Sequence, residues 1–233
     1  MNSDGGPPLA VIACRVFQGL LENYIPESLV KEVIWLDYGL HSVPKKLKQA
    51  IQEQIDALPQ PSLVVLGYGL CGNGLHQIKA GPHTLLIPRT DDCIAILLGS
   101  YEAYREAFDA APGTYYLTKG WLEAGSNPLE EHRKLEAKYG PEQTAWLMDT
   151  QYRHYKRLTF VSHQPQDLEQ YRSRALEVAE YCRRWNMEYH ELLGSDQYIR
   201  RLAQVAQALD QAGHDFLVVP PGGALTQSMF LRW

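Results

Sequence analysis

The chain has 233 residues, 45% hydrophobic and 21% charged, with a formal net charge of -5, a composition that supplies enough apolar material for a full globular core. The acidic balance and the lack of a dense Lys/Arg block argue against nucleic acid or an anionic membrane surface as partner, and no stretch reaches the roughly 18 apolar residues of a transmembrane helix. The N-terminal MNSDGGPPLAVIAC lacks the basic region of a signal peptide, so a cytoplasmic location is expected, with the four cysteines kept reduced for packing, metal binding or catalysis.

Short apolar runs ending in Gly, Pro or Cys alternate with segments of helical period, the pattern of βα units that feed a mostly parallel sheet. Leu9–Cys14 reads as a strand and Phe17–Tyr24 as a helix behind it. Glu32–Asp37 is a second strand, and a helix starting near Pro44 carries Leu47, Ile51, Ile55 and Leu58 on one face. Ser62–Leu66 and Thr84–Ile87 are further strands, followed by a helix from Asp92 to Phe108. Tyr115–Thr118 is predicted as a strand and Pro128–Tyr155 as a long helical region. Leu158–Ser162, Met187–Leu192 and Phe216–Val219 are strands interleaved with helices over Leu168–Trp185 and Tyr198–Ala212. The expected fold is α/β with Rossmann-like layers. It is either one continuous domain or two similar small lobes, 1–122 carrying the cysteine motifs and 123–233 helical and α/β, since Gly120, Gly125, Ser126 and Pro128 interrupt the pattern.

In a parallel sheet the residues just after different strands gather along one edge, where open α/β sheets bind ligands. Cys14 ends the first strand, Cys71 lies in the loop after the third, and Cys93 follows the fourth. Gly67, Gly69, Gly72 and Gly74 surround Cys71, and Gly69 and Gly72 are candidates for close backbone approach to a bound group. Cys93 stands at a predicted helix start, where the macrodipole is expected to lower its pKa. Each of these thiols could instead be a small buried hydrophobe, but three at equivalent strand ends favour a site. Cys182, inside an amphipathic helical segment, reads as packing.

Three thiolates from separate loops suit a four-iron iron–sulfur cluster whose remaining iron is open to substrate; the alternative is a zinc completed by one more ligand, with His41 and His76 as candidates. Arg89 and Lys119 are expected to orient an anionic small-molecule substrate in a cleft shared by the two halves, and Asp92 or His41 to move protons. Asp91 and Asp92 also fit a helix cap and first-turn charge. Gly67, Gly69 and Gly72 spell a dinucleotide fingerprint, but only about ten residues separate Gly72 from the next strand, too few for the helix on which a pyrophosphate rests. Two rival functions stay open: a metal-free binding or accessory protein, and an enzyme using Cys93 as a nucleophile assisted by His41 or His76.

Ala13-Cys14, Gly67-Tyr68-Gly69-Leu70-Cys71-Gly72, Pro88-Arg89 with Asp92-Cys93, Leu98-Gly99-Ser100, and Pro112 to Thr118 with Gly120-Trp121 together resemble the bacterial and archaeal family catalogued as domain of unknown function 1638. The resemblance runs through most of the chain and is strongest before residue 125. It implies an association with corrinoid-dependent methyltransferase systems, and hence a corrinoid-system protein as a partner, but it carries no reaction.

Overall fold

The computed structural model describes residues 7–25 and 30–232. In chain order the elements are β1 (Leu9–Cys14), β2 (Val30–Leu36), α1 (Pro44–Asp56), β3 (Leu63–Gly67), β4 (Thr84–Pro88), α2 (Cys93–Leu98), α3 (Tyr101–Ala110), β5 (Thr114–Thr118) and α4 (Lys119–Glu123). They continue with α5 (Pro128–Tyr139), α6 (Pro141–Tyr152), β6 (Arg157–Ser162), α7 (Pro165–Cys182), β7 (Glu188–Leu193), α8 (Gln197–Val205), β8 (Phe216–Val219) and α9 (Gln227–Phe230). The mixed α/β class with mostly parallel strands is as the sequence pattern predicts.

The chain forms two compact units, one made of residues up to Tyr101 together with those from Asp196 onward, the other of Glu102–Ser195. A single cut near residue 122 does not produce this division. The reason is β8, which returns from the end of the chain to pair with β4 in the first unit.

The first unit holds a five-stranded sheet of order β2-β1-β3-β4-β8. β1 runs parallel to both β2 and β3, and β3 parallel to β4, whereas β8 is antiparallel to β4 with Pro88 opposite Phe216. All of β1 and β3 is buried, which explains their unbroken apolar runs. α1 begins at Pro44 and buries Leu47, Ile51 and Ile55; each such side chain contributes about 1.5–3 kcal/mol of burial. Because β8 runs the other way, Pro220-Pro221-Gly222-Gly223 lies at the entry end of β4, where the Gly222 N–H donates to Gly81 O at 2.8 Å. It is therefore remote from the edge at which β1, β3 and β4 end.

Four predicted helices are broken or replaced, the one expected over 198–212 ending at Val205 with a separate 3-10 turn at Leu209–Gln211. The segment after β1 forms two 3-10 turns, Arg15–Phe17 and Leu21–Asn23, separated by Gly19 at φ +82°. The helix expected over 92–108 divides at Gly99, whose φ of +95° caps α2, and the long helical region divides at Gly140-Pro141. At Gly99 and Gly140 a glycine at positive φ ends the helix because it has no Cβ to clash.

The second unit is a parallel sheet of order β5-β6-β7, with Phe160, Leu158 and Leu117 packed against Met148, Tyr152, Val178 and Trp185. Cys182 is fully buried in this core, as packing requires. No helix among the described residues is long and apolar enough to cross a membrane.

Candidate functional site

Parallel, adjacent β1, β3 and β4 all end at one edge of the first sheet; Cys14 is the last residue of β1, and Cys71 and Cys93 follow β3 and β4. Ala13 is paired with Gly67 in the register of β1 and β3. A Cβ on Gly67 would stand 2.5 Å from the Ala13 Cβ, so glycine is needed for the strands to meet there. Beyond it, the loops after β3 and β4 are laced together: the Leu70 N–H donates to Thr90 O and the Cys71 N–H to Asp91 O, both at 2.8 Å.

Cys71, Gly72 and Asn73 all adopt left-handed backbone, at φ +48°, +60° and +73°. For the two non-glycine residues this costs about 1–2 kcal/mol each. The Gly74 N–H closes the turn on Cys71 O at 3.0 Å, and the lacing to the β4 loop holds the strained thiol-bearing residue in place. Cys93 is the first residue of α2, and the Asp92 carboxylate caps that helix by accepting from the Ile94 N–H at 2.8 Å.

The three thiols sense one another. Burial pushes Cys14 up to about 11. Cys71 is raised by burial first, then by the Asp92 charge and by Cys14. Cys93 is raised by burial, Asp92, Cys71 and Cys14 in that order. The expected helix-dipole lowering at Cys93 is thus reversed: α2 has only six residues, and burial beside a carboxylate outweighs its field. All four cysteines are free thiols.

Tyr68 stands between Gly67 and Gly69 and is 3% exposed. Its acidity is suppressed by burial first and then by Cys14, Cys71, Cys93 and Asp37, so its hydroxyl lies within electrostatic reach of all three thiols. Yet that hydroxyl has no hydrogen-bond partner among the described residues, and neither does the hydroxyl of Thr90, which is 1% exposed. A buried polar group left in this state costs about 1–3 kcal/mol. Both residues escaped the sequence reading, since an aromatic between glycines and a threonine after a strand look like ordinary core.

The other expected site residues have settings of their own. Arg89 is committed to the C-terminal segment: its Nε donates to Met229 O at 2.8 Å and its Nη2 to Leu231 O. Lys119 belongs to the second unit, where its Nζ pairs with Asp167 at 3.2 Å. His76 Nδ1 accepts from the Gln227 N–H at 3.2 Å. His41 is exposed on the 3-10 turn Tyr38–Ser42 after β2, and desolvation lowers its pKa below the usual histidine value. Gly69 serves loop packing, and Gly72 serves the left-handed turn, where only Pro44 Cγ, at 3.5 Å, would meet an added Cβ. Among the described residues no group of three His, Cys, Asp or Glu side chains is arranged to hold a metal ion. An apolar cavity lined by Val11, Leu21, Val33 and Trp35 lies against β1 and β2 and includes none of the thiols.

A family model described as "Protein of unknown function (DUF1638)" matches residues 35–203, so the chain belongs to that family. Cys71 and Cys93 fall inside the matched span and Cys14 outside it. No curated protein and no solved structure matches the chain.

Proposed function

We propose that this member of the DUF1638 family binds an iron–sulfur cluster through Cys14, Cys71 and Cys93 and uses it to act on a small molecule at the edge of its parallel sheet. The observation that supports this most is that Cys14, Cys71 and Cys93 stand at or after the ends of three adjacent parallel strands of one sheet, with the charge of Cys14 felt at both Cys71 and Cys93. Thiolates on a single zinc, each about 2.3 Å from the metal, stand within about 4 Å of one another. A polynuclear cluster spreads its ligands further apart. Three cysteines without a fourth suit such a cluster, whose remaining iron stays open, and zinc is the weaker occupant.

The charge logic agrees. Cys14 is buried and Cys71 and Cys93 partly buried, the latter two beside Asp92, so the thiols resist ionisation; a cationic centre reverses that penalty for all of them together, releasing their protons on binding. The same resistance disfavours the rival in which Cys93 rests as a nucleophilic thiolate. Asp92, whose carboxyl burial holds above the usual aspartate range, is suited to keep and pass a proton beside Cys71 and Cys93.

The test is anaerobic reconstitution with ferrous iron and sulfide. The parent protein should become brown and retain about four irons and four sulfides per chain, whereas Cys14→Ala and Cys93→Ala should not. A parent protein that stays colourless and iron-free overturns the proposal.

A further inference from the structure

Between parallel strands the connection ordinarily carries a helix that covers one face of both. The connection from β1 to β2 supplies only the 3-10 turns Arg15–Phe17 and Leu21–Asn23 among its described residues. Register fixes the face they roof: Leu9 stands beside Val30, Val11 beside Val33 and Ala13 beside Trp35, and alternate residues of a strand share a face. Leu21 and Ile25 meet this floor from above and leave a cavity of about 450 Å³, counted out to its open mouth. Val33 stays 41% exposed, an apolar surface that a covering helix would take out of water.

Val11, Leu21, Ile25, Val30, Val33 and Trp35 line the cavity, and the one further lining residue, Glu22, is its only ionisable one. The Glu22 carboxylate accepts the Gly19 N–H at 2.7 Å, which holds the acid on the turn that roofs the cavity. Among the described residues no cation pairs with it. Lys31, which the irregular register between Val30 and Glu32 sets apart, does not line the space. We infer that this cavity binds a small organic monocation, an ammonium group carried on an aromatic or alkyl body.

The body follows from the lining: an apolar group seated on Val11, Val33 and Leu21 takes their surface and its own out of water. The charge follows from Glu22, whose carboxylate has acceptor capacity left after the Gly19 bond, and from Trp35, an indole of the kind that attracts cations. A carboxylate ligand would meet Glu22 as a like charge, and a neutral one would gain nothing from it. Phenylethylammonium, with about nine non-hydrogen atoms, is within the size such a pocket holds. The site is separate from the thiols. Ala13 projects to the cavity face and Cys14, the next residue of β1, to the other, so the inference does not rest on the cluster reading.

The experiment is calorimetric titration of the full chain at neutral pH with phenylethylammonium, phenylethanol and phenylacetate, which share a ring and differ in charge. The parent should bind the ammonium about threefold to tenfold more tightly than the alcohol, and the carboxylate most weakly. Glu22→Gln should bring the ammonium to the level of the alcohol and leave the alcohol unchanged. Val33→Phe, which fills the cavity from an exposed position of β2, should lose both while keeping the parent's circular dichroism. A parent that binds no ammonium, or binds ammonium and carboxylate equally, overturns the inference. So does a Glu22→Gln protein that still prefers the ammonium as the parent does, or a folded Val33→Phe protein that binds it at the parent's level. Glu22 is exposed and its replacement leaves the core intact, so that variant decides alone where Val33→Phe does not fold.

Discussion

Gly69 touches Asp92 so closely that a Cβ added to it would stand 2.8 Å from three backbone atoms of that residue. Relief requires moving the loop after β3 away from the loop after β4, which breaks the Leu70–Thr90 and Cys71–Asp91 hydrogen bonds and separates Cys71 from Cys93. Gly69→Ala is expected to cost about 1–3 kcal/mol and to reduce iron retention. Gly72→Ala has space, with only Pro44 Cγ nearby at 3.5 Å, and should cost only the left-handed backbone penalty of about 1–2 kcal/mol. Urea unfolding of the two variants, with iron content after reconstitution, checks the order; equal iron retention in both would show that this contact does not set the site.

Arg89 is predicted to hold down the C-terminal segment rather than an anion. Its guanidinium serves two carbonyls, Met229 O and Leu231 O, while Arg232 donates back to Arg89 O at 2.8 Å. A lysine ammonium cannot reproduce that planar fork. Both Arg89→Ala and Arg89→Lys should therefore raise hydrogen exchange over residues 226–232, with a loss of about 1.5–3 kcal/mol for bonds from a charged donor. Unchanged exchange in both variants would contradict this role.

Much of the sheet was legible because its central strands are buried on both faces and so read as continuous apolar runs closed by Gly, Pro or Cys. Cys14, Cys71 and Cys93 were legible for the same reason: each follows a strand of one parallel set. What escaped depends on long-range geometry. The return of β8 antiparallel to β4 leaves no local mark, and it decides both the division into units and the fate of Arg89. The orphaned hydroxyl of Tyr68 is equally hidden, since its meaning lies in what stands around it and not in its own segment. The helix breaks at Gly99 and Gly140 had their signal in the glycines, which helical periodicity on either side overrode.

Asp215 should make the first unit acid-sensitive. Burial by itself would raise its pKa, but hydrogen bonds from Arg232, at 2.9 Å, and from Arg201 outweigh it, and the carboxyl lies below the usual aspartate value. The unfolded chain has an ordinary aspartate near about 3.9. Stability from this group is therefore fully present above that value and is lost as pH falls through the lower folded value. Asp215→Asn should be less stable than the parent at neutral pH, by about 1.5–3 kcal/mol, and the difference should shrink in acid. Thermal unfolding at a series of pH values checks it; a difference that stays constant or widens in acid would assign stability to something other than the charge.

The two cysteines that differ most in setting should show opposite behaviour when each is removed. Cys182 is fully exposed to neighbouring side chains and not at all to solvent, in a core with Phe160, Val178 and Met187, and burial alone raises its thiol to about 12. Cys182→Ala removes one buried atom and leaves a small void, costing about 1 kcal/mol, and should leave iron retention unchanged. Cys71 carries the reverse arrangement: a thiol proposed as a ligand, on strained backbone at φ +48°. Cys71→Gly deletes the sulfur but relieves the left-handed strain, so the iron-free variant should be as stable as the parent or more stable by up to about 1 kcal/mol, while iron retention is abolished. Chemical unfolding of the iron-free proteins and iron analysis after matched anaerobic reconstitution give the two readouts. If Cys71→Gly retains iron at the parent level, or if Cys182→Ala loses it, the assignment of these thiols is wrong.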